Sequence, residues 1–255
     1  MELLFTDLDH TVIYSHRYET LKPVVWVEWL SGRPQSFMTK RTYTFFTSQT
    51  WLEVVPVTTR TYEQYHRLRE TMERLGWKHS LICNGAILLH DGVEDESWTE
   101  ESLALSEPDQ PAFFAAFEMA KNMAMASDIT AVLPFLFYVK SEDAETMYSV
   151  LSRRVNLERL SIFRDARKVY CIPKSLNKGN AVKRYLDRSG RRSYIACGDS
   201  AFDVSMLNDA ALCFYPADIR HLIMGKGRKV SCEGVFSDEI CDILERVRKE
   251  RQLFD

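Results

Sequence analysis

The chain opens on Leu3-Leu4-Phe5, a short unbroken apolar run that stops at polar residues, and the same pattern returns at 53–57, 80–83, 193–197 and 211–214. Unbroken apolar runs of this length, bounded by polar edges, mark strands buried on both faces, as in a parallel sheet. Between them, apolar residues recur at helical spacing over 61–75, stopped by Gly76, and again over 178–186 and 201–207. Strand and helix therefore alternate towards both ends of the chain. The alternation predicts an α/β fold: a Rossmann-like parallel-sheet core, open and covered by helices.

The middle of the chain has a different texture. Asn84-Gly85-Ala86 leads into Ile87-Leu88-Leu89, Asp91-Gly92 is a hairpin signal, and a helix around 111–126 and strands near 130–138 and 168–172 follow. Residues 85–174 read as a second, smaller α/β domain inserted into a core made of 1–84 and 175–255, with hinges at Asn84-Gly85 and 173–177. The helix residues Phe113, Phe114, Phe117, Met119, Met123 and Met125 read as its packing face. A further excursion, Val24-Val25-Trp26-Val27-Glu28-Trp29-Leu30, the turn Ser31-Gly32-Arg33-Pro34 and 35–39, predicts a long hairpin flap.

A chain of 255 residues, 45% of them hydrophobic, can bury a sizeable core. The net charge of -3 gives no basic footprint for nucleic acid and points to a small-molecule partner. The longest nearly apolar stretch, 131–139, is interrupted by Pro134 and is too short to span a bilayer, so no membrane association is expected. The opening Met-Glu-Leu-Leu-Phe-Thr-Asp carries no basic leader, and the six cysteines show no C-x-x-C spacing. They read as reduced core residues of a cytoplasmic protein. The six histidines form no ligand pair, which argues against zinc. Lys183, Arg184, Arg188, Arg191 and Arg192 read as a solvated helix face.

The chemistry lies at the strand ends. Asp7-Leu8-Asp9-His10-Thr11 follows the first apolar run, so two carboxylates two residues apart can meet one reaction centre, one attacking while the other moves a proton. Thr58 ends the second strand in Val57-Thr58-Thr59-Arg60, Lys178 begins a helix in Asn177-Lys178-Gly179-Asn180, and Gly198-Asp199-Ser200-Ala201-Phe202-Asp203 follows a later strand. Such edges are where an open α/β sheet gathers its ligands. A phosphate dianion would be repelled by Asp7, Asp9, Asp199 and Asp203, so the site requires a cation. Mg²⁺ suits an all-oxygen shell, while Lys178 supplies a compact charge and the Thr58 hydroxyl a hydrogen bond. Thr11, Thr59, Arg60, Asn84 and Gly85 are the candidates for substrate contact. Arg60 reads equally well as a salt-bridge residue.

In these motifs the sequence resembles the haloacid dehalogenase-like phosphohydrolases, especially the Cof-type and sugar-phosphatase branch. The carriers are residues 7–11, Thr58, Asn84-Gly85-Ala86, Lys178-Gly179, and 198–203 followed by Met206-Leu207. The resemblance implies that Asp7 becomes phosphorylated and that Asp9 acts as acid and base. It also implies that Mg²⁺ is held by Asp7, the Asp9 carbonyl and Asp199, with Asp203 completing the acidic group. It makes 85–174 a cap that closes over substrate, with Lys140, Arg164, Arg167 and Lys168 available to meet it. Three positions depart from the family pattern: His10 and Thr59 stand where Gly is usual, and Phe202 where Asn is usual. The expected function is a Mg²⁺-dependent phosphatase acting on a small phosphorylated metabolite, a sugar phosphate or nucleotide-like compound, through an aspartyl-phosphate intermediate. A phosphotransferase or phosphomutase would use the same intermediate, and a non-catalytic binding module would keep only the fold. The long flap, with residues 28–33 and 55–60, is similar to dehalogenase-like proteins encoded in bacterial tellurite-resistance-type stress operons, which points towards nucleotide- or ribose-phosphate-like metabolites.

Overall fold

The structure, a computed structural model, describes residues 1–18, 21 and 23–252. Five parallel strands form its central sheet in the order Arg228–Cys232, Leu212–Pro216, Ile195–Cys197, Glu2–Thr6 and Leu52–Pro56. Glu2–Thr6 has neighbours on both sides, with Leu4 between Ile195 and Val54 and Phe5 between Ala196 and Val55. Leu4 packs on one face with Val54, Phe46 and Ile240, while Leu3 and Phe5 pack on the other with Val55, Ala181 and Val182. Burial of both faces is why this strand is apolar at every position rather than at alternate ones.

Helix Lys178–Ser189 covers one face, and helices Lys40–Ser48 and Phe236–Gln252 cover the other. The helical spacing at 61–75 resolves into two helices, Tyr62–His66 and Arg69–Leu75, because the chain turns at Arg67, whose guanidinium reaches Glu28 at 2.7 Å. Gly76 ends the second in the left-handed conformation. The expected helix at 201–207 is shorter, Val204–Asn208, since the amides before it turn towards the Asp203 carboxylate.

The inserted region contains a four-stranded antiparallel sheet in the order Leu160–Asp165, Lys168–Pro173, Leu136–Lys140 and Asp128–Val132. The expected strand near 130–138 is thus a hairpin, with Pro134 in its turn. Helices Gln110–Lys121 and Ala144–Arg154 pack on one face through Phe113, Ala116, Met147 and Leu151 against Phe137, Val139, Val169 and Cys171. The alternate residues Tyr138 and Tyr170 join the main core, so this sheet is a roof over it. The stretch before it packs differently. Leu88 and Trp98 share a cluster with Phe5 and Val55, and Val57 bridges Leu81 to extend the parallel sheet into the meander His79–Ile82, Ile87–His90 and Val93–Glu94.

Trp98 also corrects the reading of the basic cluster. Arg184 and Arg188 lie 3.9 and 5.1 Å over its ring and pair with Glu101. Arg191 pairs with Glu53 at 2.7 Å. Arg184 and Arg188 clamp their helix to the Trp98 helix, and Arg191 ties the following turn to strand Leu52–Pro56, so these three are engaged rather than a solvated face. The flap forms as expected: Val24–Leu30 and Arg33–Thr39 pair through the two-residue turn Ser31-Gly32, whose φ values of 51° and 74° suit a tight hairpin. All six cysteines are buried and free, and among the described residues no helix is long and apolar enough to cross a membrane.

Candidate active site

After Glu2–Thr6 the chain folds back on itself. The Leu8 carbonyl accepts from the amides of Thr11, Val12 and Ile13, His10 adopts the left-handed conformation, and Asp7 and Asp9 are both brought to the sheet edge. Lys178 opens its helix behind an Asn177 cap and is fully buried, with Nζ 2.8 Å from Asp7 Oδ1 and 2.6 Å from Asp203 Oδ1. The other Asp203 oxygen accepts from the amides of Asp199 and Ser200 and from the Ser200 hydroxyl, at 3.0–3.1 Å. Gly198 permits this close approach, because a Cβ there would fall 2.3 Å from that of Asp203. The Thr11 hydroxyl donates to Asp199 at 2.9 Å.

One carboxylate oxygen from each of Asp7, Asp199 and Asp203 lies within 4.8 Å of the others. The Lys178 ammonium faces this acidic group. Burial pushes Asp7 up to about 7, with Lys178 opposing and Asp203 adding to the rise. Burial, Asp203 and Asp7 likewise hold Asp199 well above the usual carboxylate range. For Lys178, burial opposes the charge, but Asp203 and Asp7 outweigh it and raise the ammonium.

Asp9 belongs to a second cluster. Arg60 grips both of its oxygens at 2.8 Å and also reaches Glu28 at 3.0 Å, while Glu28 accepts from Arg67 and the Ser36 hydroxyl at 2.7 Å. Burial alone would raise Asp9 and Glu28, but Arg60 holds both below their ordinary values. Glu28 therefore fastens the flap to the acid/base candidate. Because these carboxylates are depressed, the stability they contribute is complete above their unfolded values near 4 and is lost as pH falls through the lower folded ones. Glu28→Gln is expected to cost about 2 kcal/mol at neutral pH, less than the roughly 3–5 kcal/mol of a buried charge left unpaired, since Arg60 keeps Asp9. Denaturant titrations at neutral and acidic pH check this: the gap from the unsubstituted protein should shrink in acid.

These groups line a cavity of about 250 Å³. The core contributes Asp7, Asp9, Thr59, Arg60, Lys178 and Asp199; the flap contributes Glu28, Gln35 and Ser36; and Arg164, Asp165, Lys168 and Tyr170 form the roof. The roof is seated by contacts across the cavity rim. Phe202 stacks on Phe163 with centroids 4.2 Å apart and meets Tyr170 edge-on at 5.2 Å, and Gln64 donates to the Tyr138 hydroxyl at 3.1 Å. Where the family pattern has Asn, this chain uses an aromatic ring to hold the roof against the Asp199 loop.

Several residues expected at the site lie elsewhere or are already engaged. Thr58 is buried below the cavity lining and accepts from the Arg60 amide at 3.2 Å. Asn84 donates to the Leu176 carbonyl at 3.1 Å, and Gly85 lies against Ala181, which places both at the chain crossing rather than in the cavity lining. Thr11 serves Asp199, and Arg60 acts as a salt-bridge residue. Asp203 holds Lys178 through one oxygen and the Asp199 loop through the other, and it is one of the three carboxylates clustered at the site. Lys140 and Arg167 form exposed pairs with Asp128 and Glu142. Glu28 and Arg67 were not anticipated. A β-bulge between Trp26 and Trp29 turns both Val27 and Glu28 inward, so strict alternation could not assign Glu28 a face.

The sequence model of the family described as haloacid dehalogenase-like hydrolase matches residues 94–215. Among curated proteins, none matches this sequence. Among solved structures, the sucrose-phosphatase of Synechocystis sp. PCC6803, in complex with sucrose and phosphate, superposes with a TM-score of 0.65 at 16% identity, covering 96% of this chain and 97% of that one. A subclass IIB sugar phosphatase of the haloacid dehalogenase superfamily gives a TM-score of 0.59 at 13% identity, with 97% and 99% covered. A haloacid dehalogenase-like hydrolase from Bacteroides thetaiotaomicron gives 0.56 at 14%, with 96% and 99% covered. At these identities the superpositions speak for the fold. Residues 94–215 thus match the sequence model of the haloacid dehalogenase-like hydrolases, and the fold over nearly the whole chain is that of the superposed phosphatases, a parallel-sheet core with an inserted cap.

Proposed function

We propose that the protein is a Mg²⁺-dependent phosphatase of small phosphorylated metabolites that works through an aspartyl phosphate on Asp7. The observation that carries this reading is the buried Asp7 carboxylate, held by Lys178 at one oxygen and clustered with the carboxylates of Asp199 and Asp203. The sugar phosphatases among the superposed structures support the same substrate class. We take residues 110–173 as the moving cap, and 87–106 as part of the core on which Trp98 packs.

The donor set fits a hard divalent cation. Asp7 and Asp199 each keep one oxygen outside the hydrogen bonds described, and the family resemblance adds the Asp9 carbonyl to this set. Mg²⁺ bound there would offset the negative charge shared by the phosphate and the carboxylates. The chain's own groups do the rest. Lys178 fixes Asp7 for attack on phosphorus, and the P–O bond to the leaving group breaks as the acyl phosphate forms. Asp9 delivers a proton to the departing oxygen, and then takes one from the water that attacks the acyl phosphate. Arg60 favours ionised Asp9, the form required in the second step. Proton delivery in the first step therefore needs the Arg60 grip to loosen as the ester oxygen arrives.

A panel of hexose phosphates, nucleoside monophosphates and phosphoglycerate tests this reading. Phosphate release is expected with Mg²⁺, to be lost in chelator, and to be poorly restored by Ca²⁺, which favours looser coordination. Undiminished release in excess chelator would overturn it.

A further inference from the structure

The roof of the cavity carries a cation without a carboxylate partner. Lys140 pairs with Asp128, Arg164 with Glu145 at 3.0 Å, and Arg167 with Glu142. Lys168 makes no ion pair among the described residues, although Asp165 stands opposite it in strand register. Its ammonium lies 5.0 Å over the Tyr138 ring and 3.5 Å from the Tyr170 hydroxyl, lines the cavity, and is close enough for its charge to act on Asp9. Lys140 is its register neighbour on the other side, where it is itself paired with Asp128.

A cation placed against aromatic rings inside a cavity loses hydration that a counter-charge must replace. Of the carboxylates nearby, Asp9 is taken by Arg60, Glu28 by Arg60 and Arg67, and Asp7 and Asp203 by Lys178, while Asp165 and Asp199 line the cavity without an ion pair among the described residues. Lys168 forms an ion pair with none of them, so its charge is available to an anionic group of a ligand in the cavity. With the phosphoryl group at Asp7 and Lys178, Lys168 on the roof beside Asp9 faces the leaving-group side. The cavity volume of about 250 Å³ lies below the usual range for small-molecule sites, which limits the substrate to a compact one.

We propose that Lys168 is a specificity residue that binds a second anionic group, a carboxylate or a second phosphate, on the leaving-group side of a small phosphomonoester. The proposal rests on Asp7 marking the phosphoryl end. Matched pairs of ligands test it: 3-phosphoglycerate against glycerol 3-phosphate for a carboxylate, and fructose 1,6-bisphosphate against fructose 6-phosphate for a phosphate. Binding is read by calorimetry with Ca²⁺, and turnover separately with Mg²⁺. One member of at least one pair, the more anionic, is expected to bind roughly 10–100-fold tighter, as one charge-assisted contact gives. Lys168→Met should bring that ratio near one, while Lys168→Arg should keep most of it. Equal or undetectable binding within both pairs, or a preference that survives Lys168→Met, overturns the proposal. Ligands that show the preference but are not hydrolysed would instead overturn the phosphatase reading and leave Lys168 in its role.

Discussion

Replacing Lys178 by Met is expected to destabilise the fold by roughly 3–5 kcal/mol and to end phosphate release, the cost of leaving buried charge without its partner. Lys178 is fully buried, and its ammonium is the near neighbour of both Asp7 and Asp203. Methionine keeps much of the stem but leaves those carboxylates facing each other and Asp199. The effect has an internal check. Adding Asp203→Asn removes one of the stranded charges, so the double variant should recover part of the lost stability, although Asn cannot give the Asp199 and Ser200 amides the same acceptor. Chemical denaturation of the single and double variants measures both. A Lys178→Met protein as stable as the unsubstituted one would mean that the acidic cluster does not depend on this ammonium.

Asp7→Asn separates chemistry from folding. The amide keeps the shape of the carboxylate but is no nucleophile, so turnover is expected to fall by about 10⁴-fold or more. Stability should move the other way. Burial raises Asp7 to about 7, so the folded protein resists its ionisation. The sign follows: the carboxyl does no harm below its unfolded value near 4, and its ionisation weakens the fold as pH rises from there through the folded value. Asp7→Asn should therefore unfold at higher denaturant than the unsubstituted metal-free protein at neutral pH, with the gap closing in acid. Loss of both stability and turnover would assign Asp7 a structural role instead.

The core was legible in the sequence because a strand buried on both faces must be apolar throughout, as at Leu3, Leu4 and Phe5, and because helix Lys178–Ser189 keeps one apolar face. The flap was legible through Ser31-Gly32, where backbone conformation is written into two residues. Asp7, Asp9, Lys178 and Asp199 could be read because strand ends converge in this architecture, and they do share one cavity. What could not be read were partnerships made across the chain. No local pattern links Glu28 to Arg60, or tells that Arg60 spends its charge on Asp9 rather than on substrate. Trp98 looked like part of the insertion because sequence order places it there, whereas its packing is with the core. The cap cations were equivalent as letters. Only the counter-ions at Asp128, Glu142 and Glu145 distinguish Lys168 from the other three.

The proposed chemistry turns on a covalent phosphoryl intermediate on Asp7. Rapid acid quench of a single turnover with Mg²⁺ and a hydrolysed phosphomonoester, followed by mass mapping of the peptide that carries residues 7–11, tests it most directly. A transient phosphoryl adduct on Asp7 is expected to form before free phosphate appears and to be absent in Asp7→Asn. Free phosphate released with no adduct on Asp7 at any time across the turnover would contradict it.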